Sequence, residues 1–311
     1  MRICMIRIIT IISLVLIWGC AEENKKTQEK EILKIEKSIS TICPPYISEN
    51  KRNNLNISIL LDLSDRIEMG NQMHKDTAYL ASLSRAFISH VKKKKVLFLE
   101  DRLQLFFNPE PLNNEINEIA ERLSIVFTKN TNKQRIIETQ TLYDELPSKL
   151  YDLAKADAKL NKGYLGSDIW RFFEHDVKDY CIDDCHRNIL VILTDGYMYH
   201  EKTFMKNSNR TSFLTPKHLA KLKLKTANWK NEISRKDLGF IPATTDLNDL
   251  EVLVIGIDKQ SSNSYAQDVI EAYWYKWFLE MGVLEQNIKI KNADISRNIE
   301  KVINDFIFNK K

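Results

Sequence analysis

Glycine and proline are scarce, 8 and 7 in 311 residues. The glycines assemble no phosphate-cradling loop, and no Gly-x-Ser-x-Gly elbow or paired Cys/His nucleophile is present, which removes common signatures of nucleotide binding and nucleophilic hydrolysis. Charge of one sign is lacking too. The formal net charge is +4, and no dense Lys/Arg tract accompanies an RNA or DNA motif, so nucleic acid is not an expected partner. His175, His186, His200 and His218 have no metalloprotease-like spacing and read as structural or solvated. With 43% hydrophobic and 28% charged residues, the composition is globular and sufficient for one large domain or two modest ones.

The N-terminus carries a targeting signal. Arg2 and Arg7 open the chain, IITIISLVLIW follows, and Gly19-Cys20 close the segment. A basic start, a short apolar core and a small residue before the cleavage point make a secretory signal, too short for an ordinary membrane span. The ending LIWGC resembles a bacterial lipobox: Ile17 and Gly19 fit, Trp18 is bulkier than the pattern, and Cys20 would carry the lipid. An uncleaved anchor would equally leave the remainder exported and tethered. The expected division is a signal over residues 1–19, a lipidated Cys and polar tether over 20–54, and one domain over 55–311. The tether begins AEENKKTQEKEILKIEKS, charged and free of aromatics, and its acidic start resembles a lipoprotein surface-export signal. The expected location is the bacterial cell envelope, lipid-anchored at the outer membrane or cell surface.

Cys43, Cys181 and Cys185 remain once Cys4 leaves with the signal and Cys20 is lipidated. In an oxidising compartment they allow one bridge: Cys181–Cys185, or Cys43 with either. CIDDCH, residues 181–186, could be read as a metal cluster, but its spacing is not a zinc-finger one and no second pair exists.

From residue 55 onward, apolar runs of strand length alternate with helical stretches. The strand candidates are 56–62, 95–100, 103–107, 187–195, 250–258 and 287–291; the helices are 71–93, 114–127, 136–161, 167–179, 215–235, 264–281 and 295–308. The strongest strands are apolar at consecutive positions, as parallel strands covered on both faces are. The expected fold is α/β, a doubly wound and mostly parallel six-stranded sheet with helices on both faces. Strands 95–100 and 103–107, separated by Asp101-Arg102, predict a tight hairpin and hence one antiparallel edge strand. Ile270, Tyr273, Trp274, Trp277, Phe278 and Met281 fall at helical spacing and predict a core-facing stripe. KHLAKLKLKTANWK, residues 217–230, reads as a basic amphipathic helix with a solvated face.

Two of the best strands end in aspartate, Asp62 in LLDLSDR and Asp195 in LTDG. Ligands of open α/β sheets bind at the carboxyl ends of strands, where strand order reverses. Ser64 follows Asp62 by two residues, and Ser167, with Asp168, opens a helix on another loop. Two carboxylates and two hydroxyls make a hard oxygen site suited to Mg²⁺ or Mn²⁺. Taken singly, these residues fit ordinary turn and helix-cap chemistry; three loops on one sheet edge raise the metal reading. Asp258 ends the next strand and is a further candidate, and Asp65, Asp168, Tyr197, Tyr199 and His200 are candidate partner contacts.

The arrangement resembles the von Willebrand factor type A domain and its metal-ion-dependent adhesion site. That pattern is Asp-x-Ser-x-Ser after the first strand, a Thr on a later loop, and an Asp in Thr-Asp-Gly after the fourth. Asp62 and Ser64 match the first positions, Ser167 stands for the Thr, and Asp195 matches the last. Arg66 stands where the second Ser belongs, and a guanidinium cannot be a metal ligand. It either points away from a weakened site or pairs with Asp62, Asp65 or Asp195 and replaces the cation.

The resemblance, over about residues 55–308, implies a binding protein without catalytic residues. Its metal would accept an acidic side chain from a protein partner, while the N-terminal lipid holds the membrane. An alternative is a metal-dependent hydrolase of phosphate esters, since DLSD has a superficial likeness to the Asp-x-Asp of haloacid-dehalogenase-type phosphatases, with Ser64 where the second Asp belongs. Another is a structural envelope lipoprotein whose site Arg66 has filled.

Overall fold

Leu55–Leu61, strand β1, is buried at all seven positions, as the consecutive apolar run requires of a strand covered on both faces. The computed structural model describes residues 43–164 and 166–308. The signal segment, Cys20 and most of the tether lie outside the described residues. The chain divides into two units, Met1–Ser48 and Glu49–Lys311. In the first, the described residues carry one helical turn, α1 (Pro45–Ser48).

The second unit is an α/β sheet of six strands. Around β1 stand β2 (Glu100–Phe106), β3 (Ile125–Thr128), β4 (Arg187–Leu193), β8 (Leu250–Ile257) and β9 (Ile288–Asn292), in the order β3-β2-β1-β4-β8-β9. All pairings are parallel except β2 with β3. The chain winds outward from β1 to the β3 edge, returns to β4 on the other side of β1, then continues to β9. The strand order therefore reverses between β1 and β4, the place where such sheets bind ligands.

Side chains of β1 alternate between two cores. Leu55, Ile57, Ile59 and Leu61 pack with α2 (Gln72–Lys92), α4 (Lys133–Leu160) and α10 (Ser296–Phe308). Leu60 faces the aromatic helix α9 (Ala266–Glu280). The expected stripe on α9 is buried throughout: Ile270, Tyr273, Trp274, Trp277, Phe278 and the following Met281. Each such side chain contributes roughly 1.5–3 kcal/mol on burial. The two indoles are aimed as well: Trp274 Nε1 donates to the Gly196 carbonyl at 2.8 Å and Trp277 Nε1 to that of Ile241 at 2.9 Å. The core thereby holds the loop behind Asp195.

Three expectations are corrected. Val96–Phe98 form a single 3-10 turn rather than a strand, and β2 runs unbroken through Asp101-Arg102, so no hairpin lies there. The antiparallel edge is β3, taken from the end of the expected 114–127 helix. Helix α3 (Asn114–Leu123) stops at Ser124, which is extended; the β-branched Ile125-Val126 then fit a strand better than a helix. The expected 215–235 helix is two, α7 (Pro216–Lys221) and α8 (Trp229–Lys236), separated by Lys223 at φ +55°. A further small sheet, β5 (Lys206–Asn207), β6 (Arg210–Thr211) and β7 (Gly239–Phe240), went unforeseen because its strands have only two residues each. Arg210 anchors it, reaching both Asp237 and Glu280.

Candidate functional site

Asp62 and Asp195 follow the two strands that flank the switch point. The Asp62 N–H donates to the Leu193 carbonyl at 3.0 Å, which continues the β1–β4 ladder into the site. Its Oδ1 accepts the Ser64 N–H at 2.9 Å and its Oδ2 the Thr194 hydroxyl at 2.8 Å. Asp195 Oδ1 accepts the Tyr197 N–H at 3.0 Å and Oδ2 the Gln260 Nε2 at 2.6 Å. Both carboxylates are buried. Burial, and next the charge of Asp62, push the Asp195 carboxyl up to about 7, because two neighbouring buried carboxylates resist joint ionisation.

The loop after β4 turns sharply at Gly196, φ +92°, where a Cβ would come 2.6 Å from Ile270 and 2.7 Å from Ile257. Only glycine fits both the conformation and the space. The site is thus set directly on the aromatic core.

Arg66 is fully enclosed, its side chain 0% exposed. It lies in the 3-10 turn Asp65–Glu68 and folds back beneath Asp62. Its Nε donates to the Asp62 carbonyl at 3.1 Å; Nη2 donates to Asp76 Oδ2 at 2.7 Å and to the Leu193 carbonyl at 3.0 Å. The Asp62 carboxylate stands 3.8 Å from Nε. Burial acts to lower the guanidinium pKa, but Asp76 and then Asp62 outweigh it and hold it above its ordinary value. Asp76, on α2, also accepts from the Tyr151 hydroxyl at 2.7 Å and from Gln72 Nε2 at 2.8 Å. Asp76 was missed in the sequence, although an acid on the apolar face of a helix, beside Tyr79 and Leu80, was the available signal.

Three buried carboxylates therefore share one buried guanidinium, which bonds Asp76 and merely approaches Asp62. The Asp62–Asp195 end keeps an excess of negative charge. Among the described residues no group of three or more His, Cys, Asp or Glu could hold a metal, so a cation here would rest on two carboxylates completed by hydroxyls and water. That hard oxygen set fits Mg²⁺ or Mn²⁺. Arg66 supplies part of the counter-charge.

The other candidates are placed as follows. Ser64 is half-buried and precedes the 3-10 turn, and its hydroxyl makes no capping hydrogen bond. Ser167 is buried and pairs with Tyr199 through a backbone bridge; no hydrogen bond joins it to Asp62 or Asp195. Asp168 is buried and caps the Arg171 N–H at 3.2 Å, accepts from the Thr203 hydroxyl at 2.8 Å, and stands 3.1 Å from His200 Nδ1 without hydrogen-bond geometry. Tyr197 is buried and donates to the Lys259 carbonyl. Asp65 and Tyr199 are exposed and His200 partly so. Asp258 is exposed; its N–H donates to the Asp195 carbonyl. Tyr199 and His200 line a cleft of about 980 Å³ with Leu61, Phe107, Leu112 and Tyr164, on the same edge of the sheet.

The Cys181–Cys185 bridge is corrected. Cys181 is a free, buried thiol on α6 (Val177–Cys181), while Cys185 is engaged in a disulfide, as is Cys43. The α6 helix carries Cys181 into the apolar core, away from the turn that holds Cys185. His186 is engaged too, Nδ1 with Asp183 and Nε2 with the Glu100 carbonyl, both at 2.6 Å, so CIDDCH is not a metal cluster.

No protein-family model and no curated protein matches the sequence. Solved structures give partial likenesses. An aerotolerance-related membrane protein from Bacteroides fragilis aligns over 82% of this chain and 100% of its own, at 14% identity and TM-score 0.35. Proximal thread matrix protein 1 from the mussel byssus aligns over 82% of this chain and 47% of its own, at 11% identity and TM-score 0.37. The pilus adhesin SpaC from Lactobacillus rhamnosus GG aligns over 82% and 30%, at 11% identity and TM-score 0.36. At these values the likenesses decide nothing about function, and the α/β fold rests on the sheet itself.

Proposed function

We propose that the chain is a type-A-like binding module of the cell envelope that engages a protein partner through a divalent cation between Asp62 and Asp195. The observation that carries this reading is charge: two buried carboxylates meet at the switch point, and the one nearby guanidinium, hydrogen-bonded to Asp76 and 3.8 Å from the Asp62 carboxylate, leaves them an excess of negative charge. A cation there would keep open positions for water or for an acidic side chain of the partner. Asp62 and Asp195 would hold the ion, Ser64 and Ser167 would complete its shell, and Tyr199 and His200 would meet the partner beside it. The strand order agrees with the resemblance in sequence. The N-terminal signal and Cys20 support lipid anchoring at the outer membrane or surface; among the described residues no helix is long and apolar enough to cross a membrane.

The test is capture of envelope proteins by the full chain with Mg²⁺ or with EDTA. Asp62→Ala and Asp195→Ala should each abolish Mg²⁺-dependent capture. Capture undiminished in EDTA contradicts the metal reading, and turnover of a phosphate ester lost in Asp62→Asn would favour the hydrolase.

A further inference from the structure

The opposite pole of the sheet carries a feature that the binding site does not use. Lys92, Lys93 and Lys95 are exposed where α2 ends, and the 3-10 turn Val96–Phe98 follows at once. At its tip Leu97 is 71% exposed and Val96 42%. Lys94, in the middle of the run, is different: it is turned inward onto Asp101 and Asn54, both at 2.6 Å. None of Lys92, Lys93 and Lys95 has a carboxylate within ion-pair distance among the described residues, whereas Lys93 Nζ lies over the Phe308 ring. An apolar tip collared by uncompensated amines is what an anionic lipid surface accepts. Aliphatic side chains enter the headgroup boundary while lysines reach phosphates through their long stems.

The chain enters the domain at this same pole. Residues 51–53 lead into β1, and the Asn53 carbonyl lies 3.2 Å from His90 Nε2, on the last turn of α2. We infer that the Lys92–Leu97 segment is a membrane-contact surface for anionic lipid headgroups, resting the domain on the bilayer. Asp62 lies at the other end of β1, roughly 20 Å away at about 3.3 Å per residue, so this contact turns the carboxylate site outward from the membrane. The inference shares only the envelope location with the proposed function and uses no residue of the metal site.

The test places benzoylphenylalanine at Leu97 in the full chain, reconstituted with vesicles of phosphatidylcholine alone or mixed with phosphatidylglycerol. The same probe at Leu112, 87% exposed beyond the carboxyl end of β2, is the control. On the mixed vesicles irradiation should give a lipid adduct at position 97 and none at 112. Lys92→Gln, Lys93→Gln and Lys95→Gln together, or omission of phosphatidylglycerol, should lower the adduct on the order of tenfold or more. An adduct at 97 to protein instead of lipid, whether to the N-terminal residues of this chain or to a second copy, would overturn the inference. So would equal lipid adducts at 97 and 112, or equal adducts on both vesicle compositions. Loss of metal binding at Asp62 leaves all of these readings unchanged, so the two proposals fail separately.

Discussion

The Arg66 guanidinium donates to Asp76 at 2.7 Å and stands 3.8 Å from Asp62. It is a buried counter-charge placed behind the carboxylate edge, and its strong partner is on α2 rather than at the site. The Asp62 carboxylate is thus held at ion-pair distance by Arg66, which hydrogen-bonds the Asp62 backbone carbonyl instead.

Removing Arg66 should damage stability before anything else. Arg66→Ala leaves Asp76 buried without its cation and should cost about 3–5 kcal/mol. Urea denaturation measures this, and adding Asp76→Asn should recover part of the loss, since a neutral amide no longer needs the charge. A cost for Arg66→Ala below about 1 kcal/mol, the range of exposed pairs, would contradict the buried pairing.

Asp195 gives a pH dependence of defined sign. Its carboxyl titrates at about 7 in the folded chain and at about 3.9 in an unfolded one. Between these values the folded state holds the extra proton. The stability tied to the neutral carboxyl is fully present below about 4 and is lost as pH rises through about 7. In EDTA, Tm should fall across that window in the native chain and less steeply in Asp195→Asn. Equal slopes would contradict the burial of the Asp195 carboxyl beside Asp62.

Gly196→Ala should destabilise the fold by about 1–3 kcal/mol, because a Cβ meets Ile270 and Ile257 at a positive φ. Thermal unfolding reads this directly, and an unchanged Tm would mean that the loop after Asp195 is not seated on the aromatic helix.

Cys181 should be silent toward thiol reagents in the native state. Burial pushes its thiol up to about 12, so almost no thiolate exists at neutral pH. Labelling should appear only on unfolding, at one site without reductant and at more once the bonded Cys185 is reduced. Prompt native labelling of Cys181 would contradict its place in the core.

The sheet and the aromatic helix were legible because consecutive apolar runs and 3.6-residue stripes are local signals. Asp62 and Asp195 were legible for the same reason, as each ends such a run. The edge strand was misplaced because Val96-Leu97-Phe98 is apolar yet exposed, and pattern alone cannot separate a buried strand from a surface turn. The partner of Arg66 was not legible: Asp76 is ten residues away on a helix, and only folding shows that Gln72, Tyr151 and Arg66 converge on it. Which cysteine stays free was not legible either: the sequence left every pairing open, and only folding shows Cys181 buried in the apolar core.

The most direct measurement of the central claim is anomalous diffraction from crystals of the chain soaked in Mn²⁺. The account predicts one peak between Asp62 and Asp195, within coordination distance of the Ser64 and Ser167 hydroxyls, with Arg66 still on Asp76. The absence of a peak there, with Asp62 and Asp195 satisfied by their protein donors Ser64, Thr194, Tyr197 and Gln260 alone, would contradict it.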